Sequence, residues 1–337
     1  MLLTNNSNIT FMKKVLTYFM SAMMSISLFT GCSSDDKEEI QPDHTGIYSG
    51  DKLDLEISDI DIENAEAVIN GKTLTIKNSI PGEESVEIPV TVKGNVIEGS
   101  VTNSNRAISV KGVFKDVTKV VGQELELEVT LKYTNSIVGV WNFTPFKQGE
   151  DGSFVSSPVF VDVTSPEGTV PMELFPGFVQ NVPDQTYEQF LGGMLGAYAQ
   201  ELKSLNFRED GFIVASYTDP SKADTPLGAV RYFVKGGMVY LIPNTSMIMD
   251  GMTRAGMDDV AEMLTNGIPL ILEIEGDALK AYVTKEMMAP FVELLDMILP
   301  SLPEDNSLVA MLNQYYPLFK EPFTLCSQYN MGMTLAK

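Results

Sequence analysis

With 337 residues, 44% hydrophobic and 20% charged, the chain has a globular composition and length for about two domains. With one histidine, His44, and two cysteines, Cys32 and Cys326, the chain can barely supply the residues of a Ser-His-Asp triad, a Cys-His nucleophile pair or a His/Cys zinc site. A formal net charge of −22 excludes the basic footprint that nucleic acid requires.

The amino-terminal stretch opens with the basic pair Lys13 and Lys14, continues as the apolar run Val15–Phe29, and closes on small residues before Cys32. This order predicts a cleaved secretory signal peptide over residues 1–31, since the run is short and serine-rich for a membrane span. Leu28-Phe29-Thr30-Gly31-Cys32 resembles the lipobox of bacterial lipoproteins, which implies cleavage before Cys32 and its acylation. The alternative is an ordinary cleaved signal with an incidental cysteine. Each buried acyl CH₂ contributes about 0.8 kcal/mol, so several chains anchor a protein firmly. The next residues, Ser33-Ser34-Asp35-Asp36-Lys37-Glu38-Glu39, resemble the acidic export tag of Bacteroidetes surface lipoproteins. That resemblance implies an outer-membrane protein on the outer face, the periplasmic face being the alternative. Residues 32–45 are expected to form a lipidated acidic tether. Removing the leader takes away two lysines and no acid, so the formal charge becomes −24.

Residues 46–135 read as an all-β domain, a sandwich or a barrel. Gln123–Tyr133 alternates strictly, with Leu125, Leu127, Val129, Leu131 and Tyr133 on one face. Asn70-Gly71 predicts a hairpin between strands 65–69 and 73–77, and Lys93-Gly94-Asn95 predicts a second turn. Turn signals about every ten residues favour antiparallel topology over βαβ units. Fourteen of the nineteen methionines lie between Met172 and Met333 and none between Gly46 and Tyr133, which suggests two separately built cores.

Residues 136–337 read as a β-rich domain with helical insertions. Strands are expected at 138–143, 212–217, 230–234, 238–242, 270–275, 278–283 and 323–331. Ser165–Asp184, with four prolines, reads as a long irregular loop. Thr186 with Gln189 predicts a capping box opening a helix that runs to about Leu205. Met257, Val260, Ala261 and Leu264 predict a second helix. Phe291, Leu294, Leu295 and Ile298 predict a third, with Pro290 in its first turn and Pro300 ending it. A last helix is expected over 304–316, and Cys326 is expected as a small core residue on a strand.

No motif for nucleophilic, nucleotide or metalloprotease chemistry occurs. Gly192-Gly193-x-x-Gly196 falls within a predicted helix and reads as close packing. Glu273 and Glu275, and the alternating Asp59, Asp61 and Glu63, read as solvated strand faces rather than a carboxylate pair or a calcium loop. No cofactor and no metal are expected, and the chain reads as non-enzymatic, a carboxylate-dependent hydrolase being the remote alternative.

The heads of the two regions, Gly46-Ile47-Tyr48 and Gly139-Val140-Trp141, resemble the glycine-x-aromatic start of calycin (lipocalin)-like barrels. With the leader and the tag, the mature chain resembles two-part β-rich surface lipoproteins of Bacteroidetes. No functional residue beyond Cys32 is carried over from that resemblance; the chain reads as a cell-surface binding or docking module, the alternative being a structural interaction protein of a surface assembly. The implied partners are the membrane, through the lipid anchor, and a glycan, a peptide, an apolar ligand or an outer-membrane protein. Candidate ligand-binding residues are the aromatics of the second region: Trp141, Tyr217, Tyr232 and Tyr240 on strands, and Phe175 and Phe178 in the proline-rich segment.

Overall fold

The computed structural model describes residues 44–115, 123–150, 154–175, 178–244, 267–299 and 307–337. The leader, Cys32, the acidic run and the segment of Met257–Leu264 lie outside the described residues. The first nine strands are β1 (Gly46–Ser49), β2 (Leu53–Ile57), β3 (Ile60–Asp61), β4 (Glu66–Asn70), β5 (Thr73–Lys77), β6 (Ser85–Lys93), β7 (Val96–Thr102), β8 (Arg106–Lys115) and β9 (Glu124–Tyr133). They form one sheet in the order β1-β4-β5-β6-β7-β8-β9-β2-β3. All pairings are antiparallel except β2 with β9, where Leu55 faces Leu127 and Glu56 faces Glu128. Consecutive strands β1 and β2 sit near opposite ends of that order, yet only Gly50–Lys52 join them. A link that short spans roughly 14 Å at most, so the sheet must curl until its ends approach.

Alternation drives this curl. On β9 the residues from Leu125 to Tyr133 at every second position are buried, as the sequence pattern requires. Gly71 (φ +60°) and Gly94 (φ +62°) occupy the two expected turns, in a left-handed region that a side chain would disfavour. His44, at the end of the expected tether, is buried: its ring stacks on Phe114 at 3.8 Å, and its nitrogens lie 2.7 Å from Gln123 Oε1 and 2.9 Å from the Gly94 carbonyl.

The second sheet uses β10 (Gly139–Phe143), β13 (Val159–Thr164), β16 (Leu202–Phe207), β17 (Phe212–Tyr217), β18 (Val230–Lys235), β19 (Met238–Pro243), β20 (Ile268–Glu275), β21 (Ala278–Val283) and β22 (Gln328–Ala336). Strand β10 followed by β16 to β22 runs as an antiparallel meander, and β22 returns to β10 through Asn142–Ala336 and Phe143–Leu335. Eight strands therefore close into a barrel, which removes the free edges. The register puts Trp141 opposite Leu205, Phe207 opposite Ile213, Tyr232 opposite Leu241, and Leu279 opposite Leu335. These residues share the buried face and fill the lumen.

The remaining elements lie outside the meander: the short pair β11 (Lys147–Gln148) and β12 (Phe154–Ser156), the hairpin β14 (Thr169–Phe175) with β15 (Phe178–Pro183), and helices α1 (Asp184–Ala199), α2 (Lys285–Ile298) and α3 (Ser307–Leu325). They bury Val170, Met172, Tyr187, Leu191, Phe323 and Tyr329 in a second apolar cluster, where the Tyr187 and Tyr329 hydroxyls meet at 2.8 Å. The chain is thus mainly β, with one curled open sheet, one closed barrel and three helices among the described residues.

Several local expectations are corrected. Ser165–Asp184 is not irregular but the β14–β15 hairpin, because both strands of a two-stranded sheet have an outer edge where proline's missing N–H costs nothing. Thr186 is not a cap: α1 begins at Asp184, whose carboxylate accepts hydrogen bonds from the Ser165 amide and hydroxyl. That helix stops at Ala199, and Leu202–Phe207 is a strand. Pro290 lies inside α2, which begins at Lys285. Phe323 belongs to α3, which continues through Pro317 and Pro322, and the strand starts only at Gln328. Cys326, in the link between them, is a buried free thiol, pushed up to about 11 by burial and the nearby Asp184.

The change of sheet falls between Tyr133 and Gly139. Asp43–Lys337 form one compact unit, and the buried residues of the curled sheet and of the barrel form one continuous cluster, with Tyr133 against Tyr232 at 4.9 Å between ring centres.

Candidate binding cleft

Where the curled sheet meets the outside of the barrel lies a cleft of about 750 Å³. One wall is the β2–β3 hairpin and the residues after it, Ile60–Glu63. Its turn, Ser58 (φ +49°) and Asp59 (φ +64°), has two left-handed residues, as a two-residue hairpin turn demands. The second wall is the loop Asn78–Glu84 between β5 and β6. The floor is the outward face of β18 and β19, where Arg231 pairs with Ile242 and Phe233 with Tyr240.

The loop is held by packing and by one buried cation. Gly82 (φ +81°) rests on the Phe233 ring so closely that a Cβ there would lie 2.3 Å from Phe233 Cδ2. Phe233 in turn stacks on Tyr240 at 4.7 Å with the rings 3° from parallel. Buried Arg106 donates to the Tyr133 hydroxyl (2.6 Å), the Pro81 carbonyl (2.8 Å) and Glu83 (3.3 Å). Burial raises the Tyr133 pKa, while the Arg106 charge and hydrogen bond oppose that rise.

The electrostatics of the two sides differ. Asp61, Glu63, Glu83 and Glu84 stand on the curled-sheet side, and Arg231 and Lys235 on the barrel side. Arg231 is partly buried, and desolvation holds its pKa below the ordinary guanidinium value, with Tyr133 acting against that shift. Among the described residues its guanidinium has neither a hydrogen bond nor an ion pair. The other described arginines are partnered: Arg106 as above, and Arg208 by Asp210 at 2.5 Å.

Of the aromatics expected at a site, Tyr240 lines this cleft. Trp141 has no exposed surface, and its indole donates to the Ile137 carbonyl at 2.7 Å. Tyr232 is buried and donates to the Arg208 carbonyl at 2.8 Å. Tyr217 is half-buried away from the cleft, with Lys222 Nζ 5.7 Å from its ring centre. Phe178 is 44% exposed on β15, and the Phe175 side chain lies outside the described residues. Asp61 and Glu63 line the cleft mouth, whereas Asp59 is in a turn rather than on a strand. Among the described residues no group of three or more His, Cys, Asp or Glu is placed to hold a metal ion. The sequence reading missed Arg231, Phe233, Lys235 and the Asn78–Glu84 loop. The available signals were two cations, Arg231 and Lys235, on one face of a strand and the Pro81-Gly82 turn.

No protein-family model matches the chain, no curated protein matches its sequence, and no solved structure matches its fold.

Proposed function

We propose that the chain is a lipid-anchored outer-membrane protein, exposed at the cell surface, that works as a non-enzymatic binding module with this cleft as its ligand seat. The observation that carries the reading is the partly buried Arg231, without a partner among the described residues, on the floor of a concave site beside the fixed Phe233–Tyr240 stack. A rigid aromatic surface with a few convergent polar groups is how small-ligand sites are built. The meander of eight antiparallel strands supports the calycin-like assignment, since lipocalin barrels share that strand count. The lipobox, the acidic run after Cys32 and the charge of −24 support a tethered body that stands off an anionic membrane.

Two measurements test this. In cells fed a labelled fatty acid, Cys32→Ser should lose the label and leave the membrane fraction; continued labelling refutes the anchor. Glycan, peptide and lipid pools titrated onto the full chain should move the methyl resonances of Ile60, Ile62, Ile80 and Ile242 with one class only. If no class moves them, the cleft is not the seat.

A further inference from the structure

We propose that the cleft takes a ligand bearing a carboxylate and, further along, a cation, the chemistry of a short peptide with a free C terminus. The carboxylate would sit on Arg231 and the cation against Asp61, Glu63 and Glu84. This inference rests on the cleft being the ligand seat. A guanidinium presents five donors in a planar fork, which a carboxylate matches with two parallel hydrogen bonds. Removing such a group from water without an acceptor is costly, and an incoming carboxylate offsets that cost. Tyr240 lies on the same face, at the cross-strand diagonal position to Arg231, so its hydroxyl is within reach of the same anion. Among the described residues that hydroxyl has no hydrogen-bond partner, while the ring is fixed on Phe233.

The facing wall narrows the ligand further. Of its four carboxylates Glu83 is engaged, by Arg106. Asp61, Glu63 and Glu84 have no cation partner among the described residues, and none of them is a cause of the Arg231 shift. A phosphate-rich polyanion would meet this wall with like charge. A ligand with a single carboxylate at one end and an ammonium or guanidinium at the other satisfies both sides. A volume near 750 Å³ holds a peptide of a few residues, and an apolar side chain beside the carboxylate would lie on the Tyr240 ring.

The probe is the tripeptide Lys-Ala-Phe as free acid, compared with its C-terminal amide and with N-acetyl-norleucine-Ala-Phe free acid, on the full chain with labelled isoleucine methyls. The free acid should shift the methyls of Ile60, Ile62, Ile80 and Ile242 and bind at least about tenfold more tightly than the amide, the scale of one charge-assisted pair. The uncharged norleucine peptide should bind more weakly, and the gap should close in Asp61→Asn with Glu63→Gln and Glu84→Gln. Arg231→Gln should erase the acid-over-amide preference. Equal binding of acid and amide to the unaltered protein overturns the inference, whatever Arg231→Gln does to folding. If the tripeptide leaves the methyls still while a glycan or lipid pool moves them, this ligand class is wrong and the cleft remains the seat. If nothing moves them, both fall.

Discussion

Arg106 is the test of how the cleft wall is held. The residue is 3% exposed, and its guanidinium ties a strand of the curled sheet to the Tyr133 hydroxyl and to the loop that carries Gly82. Arg106→Met keeps an unbranched side chain while deleting all the donors. The Pro81 carbonyl and the Tyr133 oxygen then lose their partner in a setting with little water, at about 1–3 kcal/mol for each group left unsatisfied. Relief from holding a buried charge returns part of this, so the expected net loss is about 2–3 kcal/mol. Glu83 adds little, because its carboxylate is 39% exposed and an exposed ion pair contributes roughly 0–1 kcal/mol. Tyr133→Phe alone should cost about 1–2 kcal/mol. The double variant should lose less than the sum by about 1 kcal/mol, because both changes break the same 2.6 Å bond. Urea unfolding measures each value from the shift in midpoint at constant slope. A loss below about 1 kcal/mol for Arg106→Met, or strictly additive single changes, would refute the claim that this buried cation organises the wall.

Two further outcomes follow from the same geometry. Gly332→Ala should disrupt barrel closure, because its Cβ would lie 2.3 Å from the Ala281 carbonyl oxygen and 2.4 Å from Tyr282 Cβ on the paired strand. A loss of about 3 kcal/mol or more in urea is expected, against about 1 kcal/mol for Gly276→Ala, which is strained by φ +61° but meets open space; equal losses would count against the crowding argument. Glu56 has a raised pKa, first through desolvation and then through Asp59, Asp61, Glu128 and Asp54. Because the folded-state pKa lies above the unfolded one, the penalty is absent below the unfolded value near 4.5, grows as pH rises through the folded value, and is full at neutral pH. Glu56→Gln should therefore raise the melting temperature by about 1 °C at pH 7 and not at pH 4, and 1 M salt should reduce the gain without abolishing it, since salt screens the neighbouring carboxylates but not the desolvation. A gain that persists at pH 4 would point to packing instead.

Much of the strand layout was legible because its signal is local. The fault-free alternation of Gln123–Tyr133, the glycine turns at Gly71 and Gly94, and the pairs around Gly236-Gly237 and Gly276-Asp277 each lie within about ten residues of chain. Several of the misreadings share one cause, which is that proline reads as punctuation in the sequence. Pro171 and Pro183 sit in a two-stranded hairpin, and Pro317 and Pro322 sit within α3, where tertiary packing of Phe319 and Phe323 on Tyr329 outweighs the lost backbone bond. The start of β16 looked helical because Leu202 and Leu205 continue the apolar spacing of α1, and only pairing with β17 distinguishes the two. The cleft was largely illegible. Its walls come from residues 60–63 and 78–84 and its floor from 231–244, and no periodicity joins segments about 150 residues apart. Tyr240 was found as a strand aromatic. Arg231, two residues from Phe233, was not, since nothing local shows that a cation lacks a partner.

The position of the cleft follows from how the barrel is filled. An eight-stranded barrel has an interior wide enough for its own side chains or for one small ligand, not both. Here Trp141, Phe207, Tyr232 and Leu335 occupy the inner face and are buried, and the indole and phenol of the two largest donate to main-chain carbonyls of the fold itself. The lumen is thereby committed to stability. Closure gives each strand of the meander a paired neighbour on both sides, so the barrel offers little open ladder to an extended partner. The surface available for the proposed recognition is the outer face of β18 and β19, where alternation leaves Arg231, Phe233 and Lys235 pointing away from the barrel lumen that Tyr232 fills, and Phe233 packed under the curled sheet. That face becomes concave only because the curled sheet brings Asn78–Glu84 and Ile60–Glu63 against it, and Gly82 permits the close seat on Phe233. The curled sheet therefore completes a site that the barrel alone does not have, and its acidic wall supplies the charge that the barrel side lacks.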